Sequence, residues 1–172
     1  MLLGLCGSLR RASLNRKLML EAFRLHGGSF TEGDLRLPLY DGDLEEAHGI
    51  PNEVQTLADQ ISAVEAVVIA TPEYNKGPSG VLKNALDWVS RVDGNPWRDK
   101  PVAVMSATAG RAGGERAQYA LRLFLLPFRP RVLPGPEVLV GQAASQFDAN
   151  GRLTNQRSID ALDELMTDLK TQ

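Results

Sequence analysis

With 172 residues, 43% of them hydrophobic and 23% charged, the chain has the make-up of a globular protein, and one domain is expected. A formal net charge of −2 argues against a nucleic-acid binder, which usually needs a basic face. The single cysteine excludes a disulfide framework, and no apolar run approaches the ~20 residues of a membrane span.

The opening MLLGLCGSLRR carries no basic region ahead of its short apolar run. It does not resemble a signal peptide, so a soluble, cytoplasmic protein is expected. Residues 2–6 form a near-continuous apolar run, the mark of a strand buried on both faces. Cys6 lies inside it and reads as buried filler. The first helix is predicted over 14–26, ended by Gly27-Gly28. A weaker edge strand is predicted from Ser29 to Leu37, closed by Pro38. The stretch 39–51, with Asp41, Asp43, Glu45, Glu46 and His48, reads as a solvated acidic loop, because its spacing does not fit a calcium loop. Neither His26 nor His48 takes a role.

Pro51-Asn52-Glu53 opens a second helix with an apolar stripe at Val54, Leu57, Ala58, Ile61 and Val64. Residues 66–70 form a third, fully apolar strand, too short for a helix and rich in β-branched residues. After TPEYNKGPSG, residues 71–80, the stretch VLKNALDWVSR is helical. A fourth strand is predicted at 102–105, emptying into SATAGRAGG at 106–114. A helix with Ala117, Ala120, Leu121 and Phe124 on one side follows, then a last strand within 131–140. A C-terminal helix carries Leu162, Leu165, Met166 and Leu169, with Thr154 or Asn155 as its start.

Strand and helix thus alternate five times, and each crossover is long enough for a βαβ unit. The expected fold is α/β, a parallel sheet between two helical layers. In such sheets the ligand sits beyond the C-terminal strand ends, where strand order reverses. The polar, Gly-rich loops do follow strands, at 7–15, 71–80 and 106–114. In the first loop a strand empties into Gly7, Ser8, Arg10, Arg11 and Ser13 just before a helix. Backbone N–H groups, the helix dipole and a guanidinium would meet there, which suits the phosphate of a mononucleotide. The alternative is an ordinary strand-to-helix turn with a solvated arginine. A dinucleotide fingerprint and a Walker A loop are both missing: only Gly4 and Gly7 occur near the first strand end. What remains is one terminal phosphate in the first loop and a flat ring between the second and third. A flavodoxin-like order 2-1-3-4-5, with FMN between the first and third strands, matches that layout.

Three blocks, GSLRRASLN, TPEYN with LKNALDWVSR, and SATAGRAGGERAQYALR, resemble the NADPH-dependent FMN reductase family, which includes chromate, quinone and some azo reductases. The likeness spans roughly residues 3–125 in the right order. It implies a flavodoxin-like three-layer sandwich with a five-stranded parallel sheet, FMN as cofactor and NADPH or NADH as reductant. It matches Gly7, Ser8, Leu9, Arg10, Ser13, Leu14 and Asn15 to the phosphate loop. Pro72, Glu73, Tyr74 and Asn75 match the loop around the isoalloxazine ring, which Lys76 and Gly77 continue, and Thr108, with Ser106 and Gly110 nearby, matches the loop on its other side. After P-E-Y-N the family usually reads x-S-x-P-G; here Lys76-Gly77-Pro78-Ser79-Gly80 replaces the Ser by Gly77, moves the Pro one place early and puts a charge at the rim.

The resemblance further implies that no side chain is a covalent or metal-bound catalyst. The flavin would carry hydride from NAD(P)H to a small-molecule electron acceptor in a ping-pong scheme. Amides of the 73–77 loop would face the ring edge that holds negative charge when reduced. Glu73 reads either as a proton donor or as a capping or ion-pairing group, and Tyr74 as a ring neighbour or a structural tyrosine. Trp88 reads as core or interface. Family members are dimers or tetramers, so Arg116, Tyr119, Trp88 and Arg91 are candidate boundary residues. A flavodoxin-type electron carrier is the rival function; the modest charge and Arg10 favour the enzyme.

Overall fold

The computed structural model describes residues 1–172. Six strands form one parallel sheet: β1 (Leu2–Cys6), β2 (Phe30–Gly33), β3 (Ala66–Ala70), β4 (Pro101–Ala107), β5 (Arg131–Val132) and β6 (Val138–Val140). Their order is β2-β1-β3-β4-β5, with β6 also paired to β4. The predicted order therefore holds, and its fifth position is filled twice. Pro101 and Val102 of β4 pair with β5, whereas Met105 to Ala107 pair with β6.

Six helices cover the sheet: α1 (Leu14–His26), α2 (Gly42–His48), α3 (Asn52–Ala63), α4 (Gly80–Val89), α5 (Glu115–Leu125) and α6 (Gln156–Lys170). Strand residues alternate between two cores. Leu2, Val68, Ala70, Ala103 and Met105 face α1 and α6, meeting Leu18, Met19, Phe23, Leu162 and Met166. Leu3, Leu5, Val67, Ile69, Val102 and Val104 face the other way, toward Leu57, Ile61, Leu82, Leu86 and Leu121. Helices on both faces bury both sides of every central strand, which is why β1, β3 and β4 read as unbroken apolar runs.

Five expectations shift. The edge strand is shorter than 29–37, because pairing runs only from Leu2↔Phe30 to Leu5↔Gly33, where β1 is about to end. The acidic stretch is not all loop: α2 lies inside it, capped by the Asp41 carboxylate accepting from the Asp43 amide. It buries no residue, so it left no apolar stripe to find. β4 extends through Ser106 and Ala107, and the last strand is two short ones. Trp88 is fully buried, its indole N–H donating to the Pro38 carbonyl at 2.7 Å, so it is core and not a subunit boundary. No helix is long and apolar enough to cross a membrane.

Candidate functional site

β1, β3 and β4 lie side by side, so the three polar loops that follow them meet at one edge of the sheet. Between them is a hollow of about 450 Å³, within the ordinary size range of small-molecule sites. The first loop contributes Ser8, Arg10, Ala12, Ser13, Leu14 and Asn15; the second, Pro72, Glu73 and Tyr74; the third, Ala107, Thr108 and Ala109. A shallower hollow of about 480 Å³ adjoins it, with Ser8, Arg10 and Tyr74 shared between the two; Gly7 and Leu9 lie on its wall.

The first loop leaves the strand at Gly7, whose amide donates to the Ala70 carbonyl at 2.8 Å. The chain there runs against the second loop so closely that a Cβ on Gly7 would sit 2.9 Å from Ser79 Oγ and 3.2 Å from Pro72 Cδ. Ser13 then starts α1: its hydroxyl accepts from the Arg16 amide at 3.1 Å. The amides of Ser8 to Ala12, and of Leu14 and Asn15 in the first turn, have no acceptor within the protein. No acidic residue stands in that turn, so its positive end is unopposed. Arg10 is exposed and makes no hydrogen bond or ion pair, while Arg16 is spent in a fork on Glu32 at 2.6–2.8 Å. Unpaired donors, a dipole and a free guanidinium on one loop are groups that could hold an anion.

Asn15 lines the hollow, and its side chain has a structural task as well. Its buried amide donates to the Ala107 carbonyl at 2.8 Å and accepts from the Ala107 N–H at 2.9 Å. It pins the start of α1 to the end of β4. Cys6 sits beneath the loop, its thiol donating to the Ser8 carbonyl at 3.5 Å and lying 3.6 Å from Ser13 Oγ. Burial pushes its pKa up, so it is held as a thiol.

The second loop turns tightly at Tyr74–Gly77. The Tyr74 amide donates to the Gly77 carbonyl at 2.9 Å and the Gly77 amide back to Tyr74 at 3.1 Å. Asn75 and Lys76 between them have φ of +51° and +68°. Two left-handed residues closed by a pair of hydrogen bonds form a type I′ turn, whose second central position favours glycine. A lysine there costs on the order of 1 kcal/mol. Tyr74 is half exposed. Glu73 is engaged: its Oε2 accepts from the Ala117 amide at 3.2 Å, capping α5. Glu73 caps α5 through this oxygen, while its other carboxylate oxygen has no partner in the protein and the residue lines the hollow.

Ser106 does not line the hollow. It is fully buried in β4, donating to the Gly113 carbonyl at 2.5 Å and accepting from Gln118 Nε2 at 2.8 Å. It shapes the third loop from below. That packing needs Gly114, at φ +95°, where a Cβ would stand 2.8 Å from Ser106 Oγ. Thr108 lines the hollow, and the Ala109 and Gly110 amides have no acceptor. Ala144, after β6, completes the wall and carried no polar signal that could have announced it.

The family model for NADPH-dependent FMN reductases matches residues 1–145. An NAD(P)H-dependent FMN reductase of Pseudomonas aeruginosa is 41% identical over 171 residues, covering 98% of this chain and 92% of that protein. A quinone reductase of Escherichia coli K12 is 36% identical over 168 residues, covering 95% and 89%. Among solved structures, the flavoenzyme NAD(P)H:(acceptor) oxidoreductase FerB of Paracoccus denitrificans superposes with a TM-score of 0.87 at 34% identity, covering 98% of this chain and 93% of that one. The sequence, the sheet order and the loop geometry agree, and the chain belongs to the NADPH-dependent FMN reductase family.

Proposed function

We propose that this protein is an FMN-dependent NAD(P)H oxidoreductase that delivers electrons to a small acceptor, with a quinone or free flavin first in line, and chromate or azo compounds as further members of the class. One observation carries the reading: a run of acceptor-free amides and the free Arg10 guanidinium stand at one end of a hollow whose other walls are Pro72, Tyr74, Ala107, Thr108 and Ala109. An anion fits one end and a flat ring the other, so the residues suit FMN. Leu14 and Asn15 would add first-turn amides to the phosphate, and the Asn75, Lys76 and Gly110 amides or their neighbours would face the ring edges.

Bound there, FMN supplies reversible two-electron chemistry. The chain supplies position and charge. Arg10 and the loop amides would hold the phosphate and so orient the cofactor. The second loop presents the amides of Glu73, Asn75 and Lys76, which have no acceptor of their own, toward charge that develops on the ring. Tyr74, half exposed, shields the slot from water. A single slot serves both substrates in turn, which makes the order ping-pong.

We also propose that copies associate as a homodimer or homotetramer. A groove of about 570 Å³ between the ends of α4 and α5 is lined by Leu86, Val89, Phe124 and Phe128, and Tyr119, Leu123 and Leu126 stand exposed around it. Arg116 is exposed on the same helix. The proposed compartment is the cytoplasm, where the reduced nicotinamide is supplied.

Absorbance of the purified protein tests the reading. A yellow protein that bleaches when NADPH or NADH is added without air supports it. Yellow protein that stays unbleached is a carrier, and protein that remains colourless after FMN is added refutes the cofactor.

A further inference from the structure

We propose that Lys76 is a specificity-determining residue that favours anionic substrates at the mouth of the flavin slot. The inference rests on the flavin-reductase reading above. Three observations support it. Lys76 occupies the second central position of the Tyr74–Gly77 turn at φ +68°, a conformation that glycine would adopt without strain. The turn has the loop's own hydrogen bonds to keep it closed, so the backbone does not require a lysine there. Retaining a strained residue beside a binding site points to a use for its side chain.

Second, the ammonium is not neutralised. Lys76 is exposed and takes part in no ion pair. Glu73, the carboxylate three residues away, is turned to the Ala117 amide. Third, the turn that carries Lys76 starts on the wall of the site. Tyr74, the first residue of the turn, lines both hollows, and Arg10 on the facing loop is also unpaired. Arg10 is committed to the cofactor phosphate in the reading above, which leaves Lys76 as the second loop's cation for a mobile substrate. The chain as a whole is net negative, so its long-range field weakly repels anions. A cation on the second loop reverses that locally.

The ligand chemistry is a mobile anionic group carried by either substrate: the extra phosphate of NADPH, or a sulfonate or oxyanion on the acceptor. Three variants, K76Q, K76G and K76R, separate charge from backbone. Two ratios of kcat/KM are measured for each: NADPH over NADH, and a sulfonated naphthoquinone over its unsulfonated parent. Losing one charge at contact distance from an anion in water lowers the affected ratio about fivefold. K76Q and K76G should both show this fall in at least one ratio, and K76R should restore it. The ratio that moves identifies whether reductant or acceptor carries the anion. In the parent that ratio should shrink between about 20 and 200 mM salt, and in K76Q it should be flat. Thermal melting gives a readout without turnover: K76G should melt about 2–4 °C higher by relieving the turn, and K76Q should not.

Ratios unmoved in K76Q overturn the inference, as does a fall in K76G alone, which would make turn shape the cause. FMN titration of all four proteins is run alongside. If they bind FMN and are bleached by NADPH while the ratios stay fixed, only this inference fails. If the parent takes up no FMN, the proposed function is wrong and this inference falls with it.

Discussion

Arg10→Ala is the sharpest perturbation of the cofactor site. The guanidinium is exposed and bonded to nothing in the protein, so its removal leaves no buried partner stranded and no helix uncapped. The whole effect should therefore appear in FMN binding and not in folding. A hydrogen bond to a charged group contributes about 1.5–3 kcal/mol. Exposure to water and salt places Arg10 at the lower end, about 1.5 kcal/mol, or roughly a tenfold rise in Kd. The amides of Ser8 to Ala12 remain, so binding weakens and is not abolished. Flavin fluorescence quenching at low salt measures it. Arg11→Ala is the control: Arg11 is also exposed, but it lines only a neighbouring hollow toward β2, so its loss should change Kd less than about threefold. Equal FMN affinity in Arg10→Ala and the parent, or a larger effect from Arg11→Ala, would remove Arg10 from the phosphate site.

Asn15→Ala should destabilise the fold by about 2–4 kcal/mol, since it strands both backbone groups of Ala107 in the interior; the midpoint of urea unfolding reports it. A stability unchanged within error would mean that Ala107 finds other partners. Glu73→Gln keeps an oxygen that accepts from Ala117, so flavin reduction by NADPH in the stopped flow should stay within about threefold of the parent. A loss of two orders of magnitude would establish Glu73 as an acid. The Cys6 thiol has its pKa raised above the ordinary 9.0 by burial, so protonation favours the folded state. That contribution is complete below pH 9.0 and is lost as pH rises through the folded value. Alkylation of Cys6 at pH 8 should be at least about tenfold slower in the folded protein than in urea, and rapid labelling in the native state would contradict it.

The central strands and long helices were legible because each has a single dominant pattern. The reading of β3 matches to the residue, Gly27-Gly28 marks the end of α1, and an apolar stripe after Thr154 or Asn155 marks α6. α2 was missed because it buries nothing, although Asp41 and Gly49 bracket it as caps. Ser106 was read as loop because it is polar; its two buried hydrogen bonds, to Gly113 and Gln118, let the strand keep it. The anion loop was visible as a motif, but the separate jobs of its members were not. Asn15 and Arg10 look alike in a list of polar residues. One is tied to a strand 92 positions away and the other is free, and only the tertiary structure distinguishes them.

The split at the last sheet position has a consequence for how copies meet. A long, flat border strand is a template on which another chain can add a further strand. This sheet offers none: one border is broken into β5 and β6, two and three residues long, and the other is the four-residue β2, flanked by the Arg16–Glu32 pair. Edge-to-edge growth into ribbons has almost no ladder to start from. A chain laid along either border would find at most four residues of strand to pair with before the backbone turns away.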